Sequence, residues 1–92
     1  GIYLARCKIS VIPDDAFMLM SALRSLDLRG NLITHLDGVP LRGCTNLREL
    51  YLTDNRLSHI GPGVFYPLAA IRVIQLGQGN LFQDYSKIKQ DI

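Results

Sequence analysis

His35 and His59 stand 24 residues apart. An imidazole titrates near neutral pH and is a common metal ligand, so a recurring histidine is the first place to look for chemistry. A metal site would need a third ligand, and Asp37 is the only candidate near in sequence. If the two rings stacked, protonation of one would disfavour protonation of the other, which would make a pH-sensitive pair. The plainer expectation is two exposed loop positions that hold no metal. Cys7 and Cys44 offer two thiols without a C-x-x-C spacing, so they are expected to be buried free thiols rather than a disulfide or half of a zinc site. Arg24, Arg48 and Arg72 recur at the same interval of 24. Three stacked guanidiniums would repel unless an anion covered them or neighbouring carboxylates compensated them. Asp27 and Glu49 lie close enough in sequence for the second, and exposed rim ion pairs are the expected outcome. No nucleophile, base and orienting residue gather at motif spacing, and no glycine-rich phosphate loop occurs. The chain therefore carries no catalytic residue and implies no cofactor.

The interval of 24 organises the whole chain. LRELYLTDNRLSHI, residues 47–60, matches LRSLDLRGNLITHL, residues 23–36, leucine for leucine at 23/47, 26/50 and 28/52, with Asn31 against Asn55. A forward shift keeps Ile71, Ile74 and Leu76 in register, and a backward shift keeps Ile2, Leu4, Cys7, Ile9 and Ile12. The second halves also align: Ala16-Phe17 with Met20, Pro40-Leu41 with Cys44, and Val64-Phe65 with Leu68. Such self-similarity is the mark of stacked coils.

Within LRELYL, Leu50 and Leu52 point to one face of a strand while Glu49, Tyr51 and Thr53 point to the other. Equivalent strands in stacked coils lie ~4.8 Å apart, so leucines form columns and backbones form a parallel ladder. Parallel strands need a crossover of roughly a dozen residues, which the other half of each unit supplies. After the strand the chain must turn inward, leaving backbone groups inside. A buried asparagine amide has two donors and an acceptor to satisfy them, so Asn31 and Asn55 are expected to form an internal ladder. In the last coil Gly79 holds the register position and Asn80 comes one residue late. One inserted residue near 77–79 would realign Asn80 with Asn55, Phe82 with Leu57 and Tyr85 with Ile60. The following SKIKQDI either covers the last coil or frays.

The pattern L-x-x-L-x-L-x-x-N-x-L, complete at 23–33 and 47–57, resembles that of the leucine-rich repeat family, over residues 1 to about 83. IPDDAF and IGPGVF look like the second half of its 24-residue subtype, common in secreted proteins and receptor ectodomains. The resemblance implies an α/β-type solenoid, a right-handed coil with a short parallel β-sheet on the concave face and irregular or 3-10 segments on the convex side. Residues 1–92 are expected to form a single domain: a partial coil 1–22, coils 23–46 and 47–70, and a terminal coil and tail 71–92. The cysteine-rich caps of secreted relatives are absent, and a solenoid needs about three coils and sealed ends. A piece of a longer protein is therefore expected.

On the strand face away from the core, register sets out four columns. They are Ser25, Glu49, Val73; Tyr3, Asp27, Tyr51, Gln75; Ala5, Arg29, Thr53, Gly77; and Arg6, Gly30, Asp54, Gln78. Tyrosines flanking an aspartate, with arginine and glutamate alongside, is a mixture enriched in protein-binding hot spots. Tyr3, Asp27, Arg29, Glu49, Tyr51, Thr53 and Gln75 are the expected ligand contacts on this face, with Arg24, Arg48 and Arg72 as a separate anion-binding column. Alternatively these residues solvate the sheet and satisfy one another, and the chain spaces a longer solenoid.

Composition excludes several other classes. A net charge of +2 is too small to imply a nucleic-acid partner, and an apolar fraction of 48% suits a folded protein. No apolar run approaches the ~18 residues of a membrane span, and no signal-peptide pattern is present. The expected partner is a protein ligand or a neighbouring domain of the parent protein. The family subtype implies an extracellular or cell-surface setting, although the sequence has no N-x-S/T site.

Overall fold

Leu26 and Leu50 each sit in the middle of a three-residue strand, and both are fully buried. Their flanking residues project to the opposite face, so the period-2 alternation fixes which side of each strand is dry. The computed structural model describes residues 1–77 and 79–81. Six strands occur among them: β1 (Ile2–Tyr3), β2 (Ser25–Asp27), β3 (His35–Leu36), β4 (Glu49–Tyr51), β5 (His59–Ile60) and β6 (Val73–Gln75).

The main sheet has the order β1-β2-β4-β6, and every pair is parallel. Its register runs Ile2 to Leu26, Leu26 to Leu50 and Leu50 to Ile74, so each step across the sheet is one repeat along the chain. The ladder continues past the strands, with Leu28 N–H donating to Tyr51 O at 2.9 Å and Leu52 N–H to Gln75 O at 2.8 Å. Leu28, Leu52 and Leu76 are all buried, one above another. This is the solenoid that the leucine spacing predicts.

A second parallel sheet, β3 with β5, pairs His35 with His59 and Leu36 with Ile60. The sequence reading has these histidines in loops. The structure instead places them on strands, because Leu36 and Ile60 are buried beside them and draw that segment into a ladder too. The return half of each coil is a succession of turns, with no α-helix among the described residues. Hydrogen bonds of the i-to-i+3 kind hold it: Met20 N–H to Phe17 O, Cys44 N–H to Leu41 O, Leu68 N–H to Phe65 O. These tight turns keep the crossover short. Gly43 lies at a close approach between such turns, at φ +97, where an added Cβ would land on the Met18 carbonyl oxygen. Only glycine tolerates both conditions.

The core gathers Leu23, Leu26, Leu28, Ile33, Leu36, Leu41, Cys44, Leu47, Leu50, Leu52, Leu57, Val64, Phe65 and Leu68, together with Phe17, Ile60 and Leu76. Each fully buried aliphatic side chain contributes ~1.5–3 kcal/mol of transfer free energy before conformational entropy is counted. Burial weakens toward the first coil. Ile2, Leu4, Ile9 and Ile12 pack against the core but are only partly buried, and Met20 is exposed where its equivalents Cys44 and Leu68 are buried. Cys7 is likewise exposed, against the expectation of a buried thiol. Its register is as expected, but among the described residues a coil packs against it on one side only. The same half-open end leaves an apolar hollow of about 250 Å³, bordered by Leu4, Ile9, Ile12 and Phe17.

The asparagine ladder forms. Asn31 accepts from the backbone N–H of Cys7 and Ile9, at 2.9 and 3.0 Å, and donates to Leu4 O and Leu28 O. Asn55 accepts from Ile33 N–H at 3.2 Å and donates to Leu28 O and Leu52 O. Each amide therefore ties its own coil to the preceding one. Asn80 repeats the arrangement, accepting from Leu57 N–H at 2.9 Å and donating to Leu52 O and Leu76 O. The inserted residue is real, because Asn80 reaches back four residues to Leu76 where Asn55 reaches back three to Leu52. Phe82, Tyr85 and the SKIKQDI segment lie outside the described residues.

Candidate functional site

On the face of the main sheet turned away from the core, the second column stands as its register predicts, Tyr3 beside Asp27, Asp27 beside Tyr51, Tyr51 beside Gln75. The side chains do not contribute equally. Tyr3 is 71% exposed and Gln75 is exposed, whereas Asp27 is only 6% exposed. A buried carboxylate needs partners, and Arg29 supplies them. Its Nε donates to Asp27 Oδ1 at 2.9 Å, its Nη2 donates to Oδ2 at 2.7 Å, and its backbone N–H donates to Oδ1 at 3.1 Å. The two residues are two apart on one strand face, which is why the guanidinium can close on the carboxylate as a fork.

Arg29 also lies over the Tyr51 ring, 5.2 Å from its centroid, a cation–π distance. The Tyr51 hydroxyl in turn donates to a carboxylate oxygen of Glu49. Asp27, Arg29, Tyr51 and Glu49 thus form one connected chain across adjacent coils. The hydrogen bonds from Arg29 hold the Asp27 carboxyl below its ordinary range, outweighing the opposite push of burial, and Arg6 adds a smaller attraction. Asp27 in turn raises Arg29, and the Glu49 hydrogen bond raises the Tyr51 phenol. Arg29 remains half-exposed.

Thr53 is half-buried, and its carbonyl accepts from Gly30 N–H at 3.1 Å. In the fourth column Gly79, not Gln78, is the equivalent of Asp54: both precede a ladder asparagine and both have positive φ, at +79 and +57. The same left-handed conformation occurs at Arg6 and Gly30, so the chain reverses inward identically in every coil. Gln78 lies outside the described residues.

Arg24, Arg48 and Arg72 enter the sheet in register. Arg48 N–H donates to Arg24 O at 2.8 Å, and Arg72 N–H donates to Arg48 O at 2.9 Å. The expected rim ion pairs do not form. Asp27 is committed to Arg29 and Glu49 to Tyr51, and among the described residues no carboxylate pairs with any of the three arginines. Strand alternation explains this: Asp27 and Arg29 share a face and its reach, while the rim lies at the sheet's edge.

The histidine pair is joined by Asp37, which takes His59 Nε2 at 3.0 Å and His35 Nε2 at 3.9 Å. All three are more than half exposed. No group of three or more histidine, cysteine, aspartate or glutamate side chains among the described residues could hold a metal ion. Among the described residues no helix is long and apolar enough to cross a membrane. The sequence reading missed the Asp27–Arg29 clasp. Its signal was the D-x-R spacing on an alternating strand, which puts both side chains on one face.

Comparison with known proteins agrees with this geometry. The family model described as Leucine rich repeat matches residues 2–57 and 21–82. Podocan-like protein 1 of Mus musculus is 38% identical over 76% of this chain, which spans 17% of that protein's length. Leucine-rich repeat-containing G-protein coupled receptor 5 of Rattus norvegicus is 35% identical over 83% of the chain and 8% of its own length. Toll-like receptor 2 of Mus musculus is 40% identical over 56% of the chain and 7% of its own length. With its paired strands, leucine columns and asparagine ladder, the chain belongs to the leucine-rich repeat family.

Proposed function

We propose that the chain is a non-catalytic interaction module of a secreted or cell-surface protein, and that its outward sheet face recognises a protein ligand. The observation that carries this reading is the mount of Arg29. A guanidinium clasped by a buried carboxylate and laid over a tyrosine ring has already lost much of the side-chain freedom that binding would remove. Arginine and tyrosine are enriched among residues that dominate interface energies. Arg29, Tyr51, Tyr3 and Gln75 would touch the ligand, Thr53 would border it, and Asp27 and Glu49 would position the first two. Two of the similar proteins are receptors by name, which supports a recognition role and an extracellular setting.

The test is a comparison of immobilised wild-type chain with the double variant Tyr51→Ala, Asp27→Ala, both exposed to an extracellular protein fraction. Proteins retained by the first and lost from the second, with the variant still unfolding in a cooperative transition above the assay temperature, define ligands of this face. Equal retention would instead assign the chain to a spacer role within a longer solenoid.

A further inference from the structure

The rim of the sheet carries a second, separate feature. Arg24, Arg48 and Arg72 occupy the same position in three successive coils, and direct backbone hydrogen bonds link each to the next. Strand spacing therefore sets them ~4.8 Å apart, three cations along about 10 Å. Leu23 and Leu47, one residue earlier, are buried, and Leu26 and Leu50, two residues later, are fully buried. These anchors fix the backbone on both sides of Arg24 and Arg48, and the half-buried Ile71 and Ile74 do the same at Arg72. Arg24 and Arg72 are exposed and Arg48 is half-buried.

Like charges at this spacing repel, and a fold normally interleaves carboxylates to relieve it. Here the two nearest carboxylates in sequence are already engaged, Asp27 by Arg29 and Glu49 by Tyr51. Among the described residues no carboxylate lies within ion-pair distance of the file. Its flank is mostly polar or small: Ser21, Ala22, Thr45, Asn46 and Ala69 are exposed, with Val73 the larger apolar side chain beside Arg72. A protein partner would ordinarily seek a larger apolar or aromatic anchor beside the charges than the lone valine, Val73, that follows Arg72. A hydrated polymer with closely spaced oxyanions fits better, since each guanidinium presents a fork suited to a tetrahedral or planar oxyanion.

We infer that Arg24, Arg48 and Arg72 form a binding site for a sulfated polysaccharide, lying along the entry rim of the sheet and distinct from the Arg29–Tyr51 face. Binding displaces the counterions of the anionic chain, so affinity falls with salt. By analogy with flexible nucleic-acid polyanions, at ~0.7 per neutralised charge, three arginines give a log–log slope of roughly −2.

The experiment measures binding of the full chain to immobilised heparin across a salt series, with thermal unfolding monitored in parallel. The wild type is expected to bind with that slope. The variant R24A/R48A/R72A is expected to lose retention while still unfolding cooperatively, since Arg24 and Arg72 are exposed and half-buried Arg48 lies outside the core cluster. A control of equal net charge, K8A/R42A/R56A, removes three exposed cations elsewhere and is expected to stay bound. Should the control lose retention as fully as the rim variant, bulk charge is responsible and the site is overturned. Wild type that fails to bind at low salt, or a rim variant that binds like wild type, overturns it equally. Displacement by polyglutamate as readily as by soluble heparin would assign the rim to acidic peptides and reject the polysaccharide. The Arg29–Tyr51 reading is untouched by any of these outcomes, because no residue is shared.

Discussion

Asn80 donates its side-chain amide to Leu52 O at 3.0 Å, as Asn55 donates to Leu28 O at 2.9 Å, although the last coil carries an extra residue before its asparagine. The ladder thus absorbs an insertion and keeps its pitch. Asn55→Ala should destabilise the fold by ~1–3 kcal/mol, because Ile33 N–H loses its acceptor inside the core, and Leu28 O and Leu52 O each lose one of two amide donors, keeping those of Asn31 and Asn80. Asn80→Ala should cost less, since Asn80 is only half-buried and solvent can take over part of what its amide supplies. Urea midpoints of the two variants check the order; a larger loss at Asn80 would refute it.

Leu52 is 1% and Phe65 is 4% exposed, one under the sheet and one at the returning turns. Truncation of either to alanine should cost ~2–5 kcal/mol through lost contacts and a residual cavity. So short an array has little reserve, so either variant should show a markedly lower thermal midpoint or no cooperative transition at all. Retention of the wild-type transition would contradict the core assignment.

The two thiols should differ in reactivity. Cys7 is exposed, while Cys44 is fully buried and its burial raises the thiol's pKa, keeping it protonated. Native protein treated with a maleimide should be modified once, at Cys7, and a second time only after unfolding. Peptide mass mapping gives the answer directly. Rapid native labelling at Cys44 would mean that the return half opens locally.

Acid should weaken the Asp27–Arg29 clasp in a defined direction. The folded pKa of Asp27 lies below its ordinary value of 3.8, so the carboxylate binds protons less readily folded than unfolded. Its contribution is complete above that ordinary value and is lost as pH falls through the lower folded value. The stability gap between wild type and Asp27→Asn should therefore be constant near neutrality and shrink below about pH 4. Denaturant titrations at several pH values test this; a gap that widens on acidification would reverse the sign.

Periodicity and residue type alone determined the repeat length, the inward leucine columns, the outward column of Tyr3, Asp27, Tyr51 and Gln75, and the asparagine ladder. These follow from local rules, since alternation along a strand and a constant interval between coils say which residues are neighbours. The late asparagine at 80 was legible for the same reason. What the tertiary structure alone decided was how far each neighbour is used. Both candidate partners for the arginine rim were visible in sequence, yet Asp27 closed on Arg29 and Glu49 on Tyr51, because side-chain reach and competition among close acceptors are settled only in three dimensions. The same limit governed Cys7, whose register matched the core but whose burial depended on the number of coils packed against it. It governed His35 and His59 as well: buried Leu36 and Ile60 beside them turned expected loops into a second ladder. Register is a property of the chain, whereas burial and pairing are properties of the stack.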